Sequence, residues 1–220
     1  MELYRDPGVY RQGPGLYTLN LDRGNRLYGE DLVEEEGQEF RRWDPFRSKL
    51  SAYLLRGGRA WPFARVHRLL YLGASHGTTL SHLSDILPQA RLFGVEKSPR
   101  TFGALLALAR RRENLYPLLA DAHLPERYRA EVGEVELLYQ DVAQRDQVEV
   151  LLENVRACAK PRAEILLMLK TRSVTQTATP REVLRSAERA LGEGGLELRE
   201  SVDLAPFARG HFALVLGAPG

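Results

Sequence analysis

A chain of 220 residues that is 44% hydrophobic and 27% charged is long enough for one sizeable domain with a small appendage, and too apolar to stay disordered. A net charge of only +2 speaks against a chain that grips nucleic acid by itself, and the single cysteine, Cys158, excludes an internal disulfide. No apolar run reaches membrane-spanning length, the first ten residues lack an apolar signal core, and the five scattered histidines lack zinc-ligand spacing, so a cytoplasmic protein with no resident metal is expected.

Residues 1–50 read as short strands and turns. GVY (8–10), LYTLNL (16–21), RLYGE (26–30) and EFRRW (39–43) are separated by Gly-, Pro- and Asp-bearing punctuation. That is a small antiparallel β domain, too small to stand alone, which should pack on the remainder of the chain. Lys49, in RSKLSAYLL, opens a helix at its edge.

From residue 51 to 220 strands and helices alternate. RLLYLG (68–73), RLFGVE (91–96), LYPLLA (115–120), VELLYQD (135–141) and EILLMLK (164–170) read as strands. TTLSHLSDIL (78–87), PRTFGALLALARRR (99–112), QVEVLLENVRACAK (147–160) and PREVLRSAERAL (180–191) read as helices. This order predicts a parallel sheet covered by helices on both faces. LELRESVDL (196–204) and HFALVLG (211–217) come last with no helix between them and should form an antiparallel pair.

Three strand ends carry ligand-type residues. The first runs into GASHGTT: Gly73, Ala74, Ser75, His76, Gly77, Thr78 and Thr79. A glycine-bearing turn there lets backbone approach a ligand, but it does not match the dinucleotide G-x-G-x-x-G pattern, which argues against a nicotinamide cofactor. Glu96 ends the second strand, where an acid reaches ribose hydroxyls, with Lys97 beside it. Asp121, before Ala122, ends the third and suits either an adenine amine or a turn cap. Together they describe a nucleoside site without a phosphate grip, which suits S-adenosyl-L-methionine.

The fourth strand ends at Asp141, before Val142, Ala143 and Gln144, and the fifth at Lys170. His211 opens the last strand and, if that strand runs antiparallel, meets them at the same edge. Of 31 basic residues only four are lysines, Lys49, Lys97, Lys160 and Lys170. A chain that uses arginine wherever a plain charge suffices marks its lysines as candidates for chemistry, since lysine can release a proton. The cluster could orient and deprotonate a hydroxyl; the plainer alternative is an Asp141–Lys170 ion pair with a neutral His211.

These residues resemble fibrillarin, the RNA 2′-O-methyltransferase family of box C/D guide ribonucleoproteins, in its archaeal form. RLYGE (26–30), WDPFRSKL (43–50), YLGASHGTTLSHLSD (71–85), GVEKSPR (94–100), DVAQ (141–144) and LKTRS (169–173) stand in family order and spacing. The resemblance implies a class I, Rossmann-like α/β methyltransferase fold: a mostly parallel seven-stranded sheet with a final antiparallel strand. It implies that Lys49, Asp141, Lys170 and His211 form the catalytic tetrad. It further implies that Gly73–Thr79, Glu96, Lys97, Asp121, Ala122, Asp141 and Gln144 line the S-adenosyl-L-methionine pocket. The implied partners are a Nop-domain scaffold protein, a kink-turn-binding ribosomal-type protein, a guide RNA and an rRNA or tRNA target, with no membrane. His76 departs from the small residue common in the family, which leaves two alternatives open: that it crowds the pocket or that, if protonated, it repels the sulfonium. Rival readings are a methyltransferase of the same fold with another substrate, and a non-catalytic ribonucleoprotein scaffold. The arginine-rich segment 99–112 suggests a partner surface or a helix C-terminus complemented by charge.

Overall fold

Five short strands open the chain: β1 (Glu2–Arg5), β2 (Val9–Gln12), β3 (Gly15–Leu19), β4 (Leu32–Glu35) and β5 (Gln38–Arg42). They form one antiparallel sheet in the order β1-β2-β3-β5-β4 in this computed structural model, which describes residues 1–175 and 177–220. The expectation of a strand over 26–30 is corrected here. That segment is a turn closed on the Glu30 carboxylate, which accepts the backbone N–H groups of Leu27 and Tyr28 at 2.9–3.2 Å. The pairing capacity of those amides is spent locally, and the strand forms instead at Leu32–Glu35.

The second sheet has seven strands in the order β11-β12-β10-β9-β6-β7-β8. The elements run β6 (Arg68–Leu72), α2 (Thr78–Ile86), β7 (Arg91–Glu96), α3 (Pro99–Ala109), β8 (Leu115–Leu119), α4 (Arg129–Val132) and β9 (Val135–Gln140). They continue with α5 (Gln147–Cys158), β10 (Ala159–Lys170), α6 (Thr171–Val174), α7 (Pro180–Glu193), β11 (Glu197–Asp203) and β12 (His211–Gly217). The first helix of the chain, α1 (Lys49–Leu55), precedes them. Only β12 runs against its neighbours. Successive residues of the central strands enter opposite layers. Leu69, Tyr71, Leu137 and Tyr139 join one apolar cluster, and Leu70, Leu72 and Leu138 the other. A strand buried on both faces is mostly apolar along its length, which is how these runs read.

Connections leave β6 toward β7 and β8 on one side and pass to β9 and β10 on the other. The carboxyl ends of β6 and β9 therefore flank the crevice where open sheets of this kind bind ligands.

The N-terminal sheet has no core of its own. Val9, Leu16 and Trp43 are fully buried in the cluster that also holds Leu80 and Leu83 of α2. A buried charge network joins the same layers. Arg41 Nη1 lies 3.0 Å from Glu30 Oε1, and Arg112 Nη1 lies 2.6 Å from Asp85 Oδ1. Arg41 Nε sits 2.9 Å from Asp85 Oδ2, near enough for charge attraction but off-line for a hydrogen bond. Thr18 donates its hydroxyl to Asp85 at 2.9 Å and contacts the ring of His82, whose burial and cationic neighbours Arg41 and Arg112 hold it well below its ordinary pKa. Arg111 pairs with Asp22 at 2.5 Å. Arg111 and Arg112, just after α3, thus take part in the network that fastens the two sheets together. They are thereby engaged in ion pairs with Asp22 and Asp85, while Arg110 stays exposed. No helix is long and apolar enough to cross a membrane, among the described residues.

Candidate active site

The turn after β6 brings backbone against backbone. Gly73 (φ +79°) lies under the end of β9, where an added Cβ would fall 2.6 Å from the Asp141 carbonyl oxygen. Asp141 donates its N–H to Leu72 O at 2.9 Å, and Gly73 and Ala74 donate theirs to Val95 O. Only glycine combines that conformation with that clearance. Gly77 (φ +86°) meets a different limit, since its Cβ would strike Leu105 and Leu108 of α3. Glu96 Oε2 accepts the Ser75 N–H at 2.9 Å, and Oε1 accepts the Ser98 N–H at 2.8 Å. Two amides thereby fix the carboxylate at the end of β7 and leave each oxygen a lone pair for an incoming hydroxyl.

Four side chains meet at the sheet edge beside this turn. Lys49 comes from the first position of α1, which is anchored because Ser48 Oγ and Thr79 Oγ1 are 3.0 Å apart and Ser51 donates to Trp43 O. Lys49 Nζ lies 2.7 Å from both carboxylate oxygens of Asp141. Lys170 and His211 are directly paired residues of the antiparallel strands β10 and β12. The ion pair therefore joins Asp141 to Lys49, and not to Lys170 as the plainer alternative had it. The Lys170 ammonium forms no ion pair, whereas Lys49, Lys97 and Lys160 each have a carboxylate within 4.0 Å, among the described residues. Burial and the nearby Lys49 ammonium hold His211 below its ordinary pKa. Its Nδ1 lies 3.1 Å from the Arg209 carbonyl, which can only accept, so Nδ1 carries the proton and Nε2 is the acceptor.

These groups line one open cavity of about 510 Å³. Lys49, Gly73, Ala74, Ser75, Thr78, Thr79, Glu96, Lys97, Ala122, Asp141, Gln144, Lys170 and His211 all reach its wall. Gly77 and Asp121 do not. Gly77 is packed inward, and the Asp121 carboxylate turns to His123, accepting from its ring Nδ1 at 2.8 Å, with Lys97 Nζ at 3.9 Å. The wall at that strand end is Ala120 and Ala122. His123 also contacts Asp146 through Nε2 at 2.8 Å, which ties the loop after β8 to the loop before α5. Hydrogen bonds to both carboxylates raise the His123 pKa and lower theirs. The crowding alternative for His76 is corrected: its ring is exposed, bonded to Ser75 Oγ at 3.1 Å, and absent from the wall.

Three contributors escaped the reading from sequence. Gln147 clamps the end of β10, accepting the Lys170 N–H at 2.9 Å and donating to its carbonyl at 3.1 Å, while Gln140 donates to Gln147 O at 2.7 Å. Their signal was faint, two glutamines that the fold buries completely. Arg47 lines the cavity from inside WDPFRSKL, where it had passed as one more arginine.

The wall combines a fixed acid for hydroxyls, apolar Val95, Ala120, Ala122 and Val142 for a flat ring, and a polar cluster at one end. A family model, Fibrillarin, matches residues 5–218. The chain belongs to the fibrillarin family. A relative from Thermoplasma acidophilum named fibrillarin-like rRNA/tRNA 2′-O-methyltransferase is 40% identical over 218 residues, 99% of this chain and 93% of that one. The crystal structure of Aeropyrum pernix fibrillarin with natively bound S-adenosyl-L-methionine superposes with a TM-score of 0.85 at 41% identity, covering 92% of this chain and 88% of that one. A fibrillarin/Nop5p complex structure gives 0.89 at 37% identity over the whole of both chains. The fold is accordingly that of the fibrillarin methyltransferases, with its final strand antiparallel.

Proposed function

We propose that this chain transfers a methyl group from S-adenosyl-L-methionine to ribose 2′-hydroxyls of rRNA and tRNA, as the catalytic subunit of a box C/D guide ribonucleoprotein. The observation that carries the reading is the convergence of Lys49, Asp141, Lys170 and His211 on one cavity in a chain of this family.

The cofactor fits the residues present. Glu96 would hold its ribose hydroxyls, and Val95, Ala120, Ala122 and Val142 would face its adenine. The glycine at 73 leaves the cradle open where a Cβ would meet Asp141. When bound, S-adenosyl-L-methionine supplies an electrophilic methyl group on sulfonium. The chain must do the rest: place O2′ in line and receive its proton. Positioning alone contributes much of such a rate. Lys49, held by both oxygens of Asp141, is a fixed positive charge for the alkoxide developing on O2′. Lys170, free of any such pair among the described residues, is the group that can take the proton from O2′, which it does as the neutral amine, becoming the ammonium as the O2′–methyl bond forms. Neutral His211 offers Nε2 as an acceptor that orients the hydroxyl.

The near-neutral charge supports a division of labour in which partners hold the RNA. We assign those partners as a Nop-type scaffold, a kink-turn-binding ribosomal-type protein and the guide RNA, in a cytoplasmic setting. The test is reconstitution of the chain with these partners, then mapping of the methylated nucleotide. One guide-selected site, lost when the guide is omitted, is expected. Selective methylation by the isolated chain would contradict the reading.

A further inference from the structure

Two loops that share no strand pairing both supply the cavity wall. The loop after β8 contributes Ala120 and Ala122, and the loop after β9 contributes Val142, Ala143 and Gln144. In the sheet β8 and β9 are separated by β7 and β6, so the ends of the two strands stand about 14 Å apart. The ring of His123 spans the interval between their loops. Its Nδ1 lies 2.8 Å from Asp121 Oδ1 in its own turn, and its Nε2 lies 2.8 Å from Asp146 Oδ2, on the residue that precedes α5. None of these three side chains reaches the wall itself.

An ionised carboxylate only accepts, so each of these contacts needs an N–H on the ring. Neutral imidazole carries one N–H and can hold one loop. The imidazolium carries two and holds both. A single ring set between two carboxylates is therefore the geometry of the cation. The ionisable groups that face it are Asp121 and Asp146, whose hydrogen bonds raise its pKa, with Lys97 behind them acting on both acids. The base of the first loop is fixed separately. Asn154, buried in α5, donates to the Ala122 carbonyl at 2.8 Å, and the Tyr128 hydroxyl donates to the same oxygen at 3.3 Å. Loss of the imidazole would thus leave the fold standing and loosen only the two loops against each other. Their apolar residues Ala122 and Val142 bound the slot for a flat ring. A slot held ready binds its ring at full affinity, whereas one ordered for only part of the time binds more weakly by that fraction.

We propose that His123, as a cation shared by Asp121 and Asp146, is a positioning residue for the methyl donor: it clasps the two loops and holds the adenine slot at its binding width. The proposal rests on the reading of this cavity as the S-adenosyl-L-methionine site. It carries a definite sign. A group with a raised pKa makes its charged contribution below the ordinary value of about 6.5 and loses it as pH rises through the raised value. Affinity for the donor therefore falls on the alkaline side, opposite to the acid-side behaviour of His211.

The test is calorimetric titration of the full chain with S-adenosyl-L-methionine at a series of pH values either side of neutrality, for wild type, His123→Ala, His123→Arg and Asp146→Asn. On the acid side His123→Ala and Asp146→Asn should each bind about 3- to 10-fold more weakly than wild type, and the double variant no more weakly than either. Arginine keeps its charge and several donors at every pH used, so His123→Arg should restore the affinity and hold it on the alkaline side, where wild type falls to the level of His123→Ala. The amine of the ligand titrates in the same range and cancels in the comparison of wild type with His123→Arg. Thermal melting of the unliganded His123→Ala chain should move by only a few degrees. Equal affinity of wild type and His123→Ala on the acid side would overturn the clasp, as would one pH profile shared by all chains or loss of the fold in both His123→Ala and Asp146→Asn. No binding by the wild type would instead contradict the reading of the cavity itself, and the clasp with it.

Discussion

Lys49 Nζ sits 2.7 Å from both oxygens of Asp141, although the two residues are 92 positions apart in the chain. One stands at the start of α1, at the edge of the N-terminal sheet, and the other just past the end of β9. The small sheet is therefore not a mere appendage. By holding α1 it delivers a cation to the cavity of the larger sheet.

Breaking that pair should disable catalysis more than folding. Asp141→Asn keeps size and shape but removes the charge that positions Lys49. The expected result is a loss of single-turnover methyl transfer of about 10²- to 10³-fold, the scale of losing one charge-stabilising group. Thermal melting should move by only a few degrees, since both side chains are partly solvated. Near-normal turnover would show that Lys49 needs no partner.

Lys170→Arg tests the proton-transfer role. Arginine keeps the charge but does not deprotonate in proteins, and its planar fork is larger. Methyl transfer should fall on the order of 10²- to 10⁴-fold while S-adenosyl-L-methionine affinity by calorimetry is retained. Activity within a few-fold of wild type would move the role to Lys49 or to positioning alone.

His211 gives a pH signature. Burial and then Lys49 lower its pKa, so it is neutral near pH 7. Its neutral-state contribution to stability is present above the unfolded value of about 6.5 and is lost as pH falls toward and through the lowered folded value. The single-turnover rate should show the same sign, with an acid limb whose midpoint lies below 6.5. A His211→Asn variant should be slower and should lack that limb. A limb that persists in the variant would assign it to another group.

The junction between the sheets should be the costliest place to lose a charge. Asp85 faces Arg41, Arg112 and Thr18 with no solvent access to its side chain. Asp85→Ala leaves the buried Arg112 guanidinium without its carboxylate and Arg41 with Glu30 alone, and should cost about 3–5 kcal/mol in denaturant unfolding. A cost below about 1 kcal/mol would mean that water enters to replace the carboxylate.

Much of this architecture was legible beforehand because its signals are local. The apolar runs at 68–73, 91–96 and 164–170 sit within strands or end on them, and Asp141, Lys170 and His211 could be placed together from strand order alone. What escaped depended on partners far along the chain. Glu30 turned an expected strand into a loop, and Asp22 and Asp85 turned an arginine cluster into structural ion pairs. Gln147 reads as an ordinary first-turn residue until the end of β10 is laid beside it. The Lys49 pairing was within reach of sequence only through the family resemblance, since spacing carries no distance between α1 and β9.

The methyl acceptor in this site is a ribose 2′-oxygen. The decisive measurement compares two guided RNAs in the reconstituted complex with labelled S-adenosyl-L-methionine, one natural and one with a 2′-deoxy nucleotide at the target position. One methyl group per natural RNA, making that nucleotide resistant to alkaline cleavage, and none on the 2′-deoxy RNA are expected. Equal incorporation into both would place the methyl on a base and contradict it.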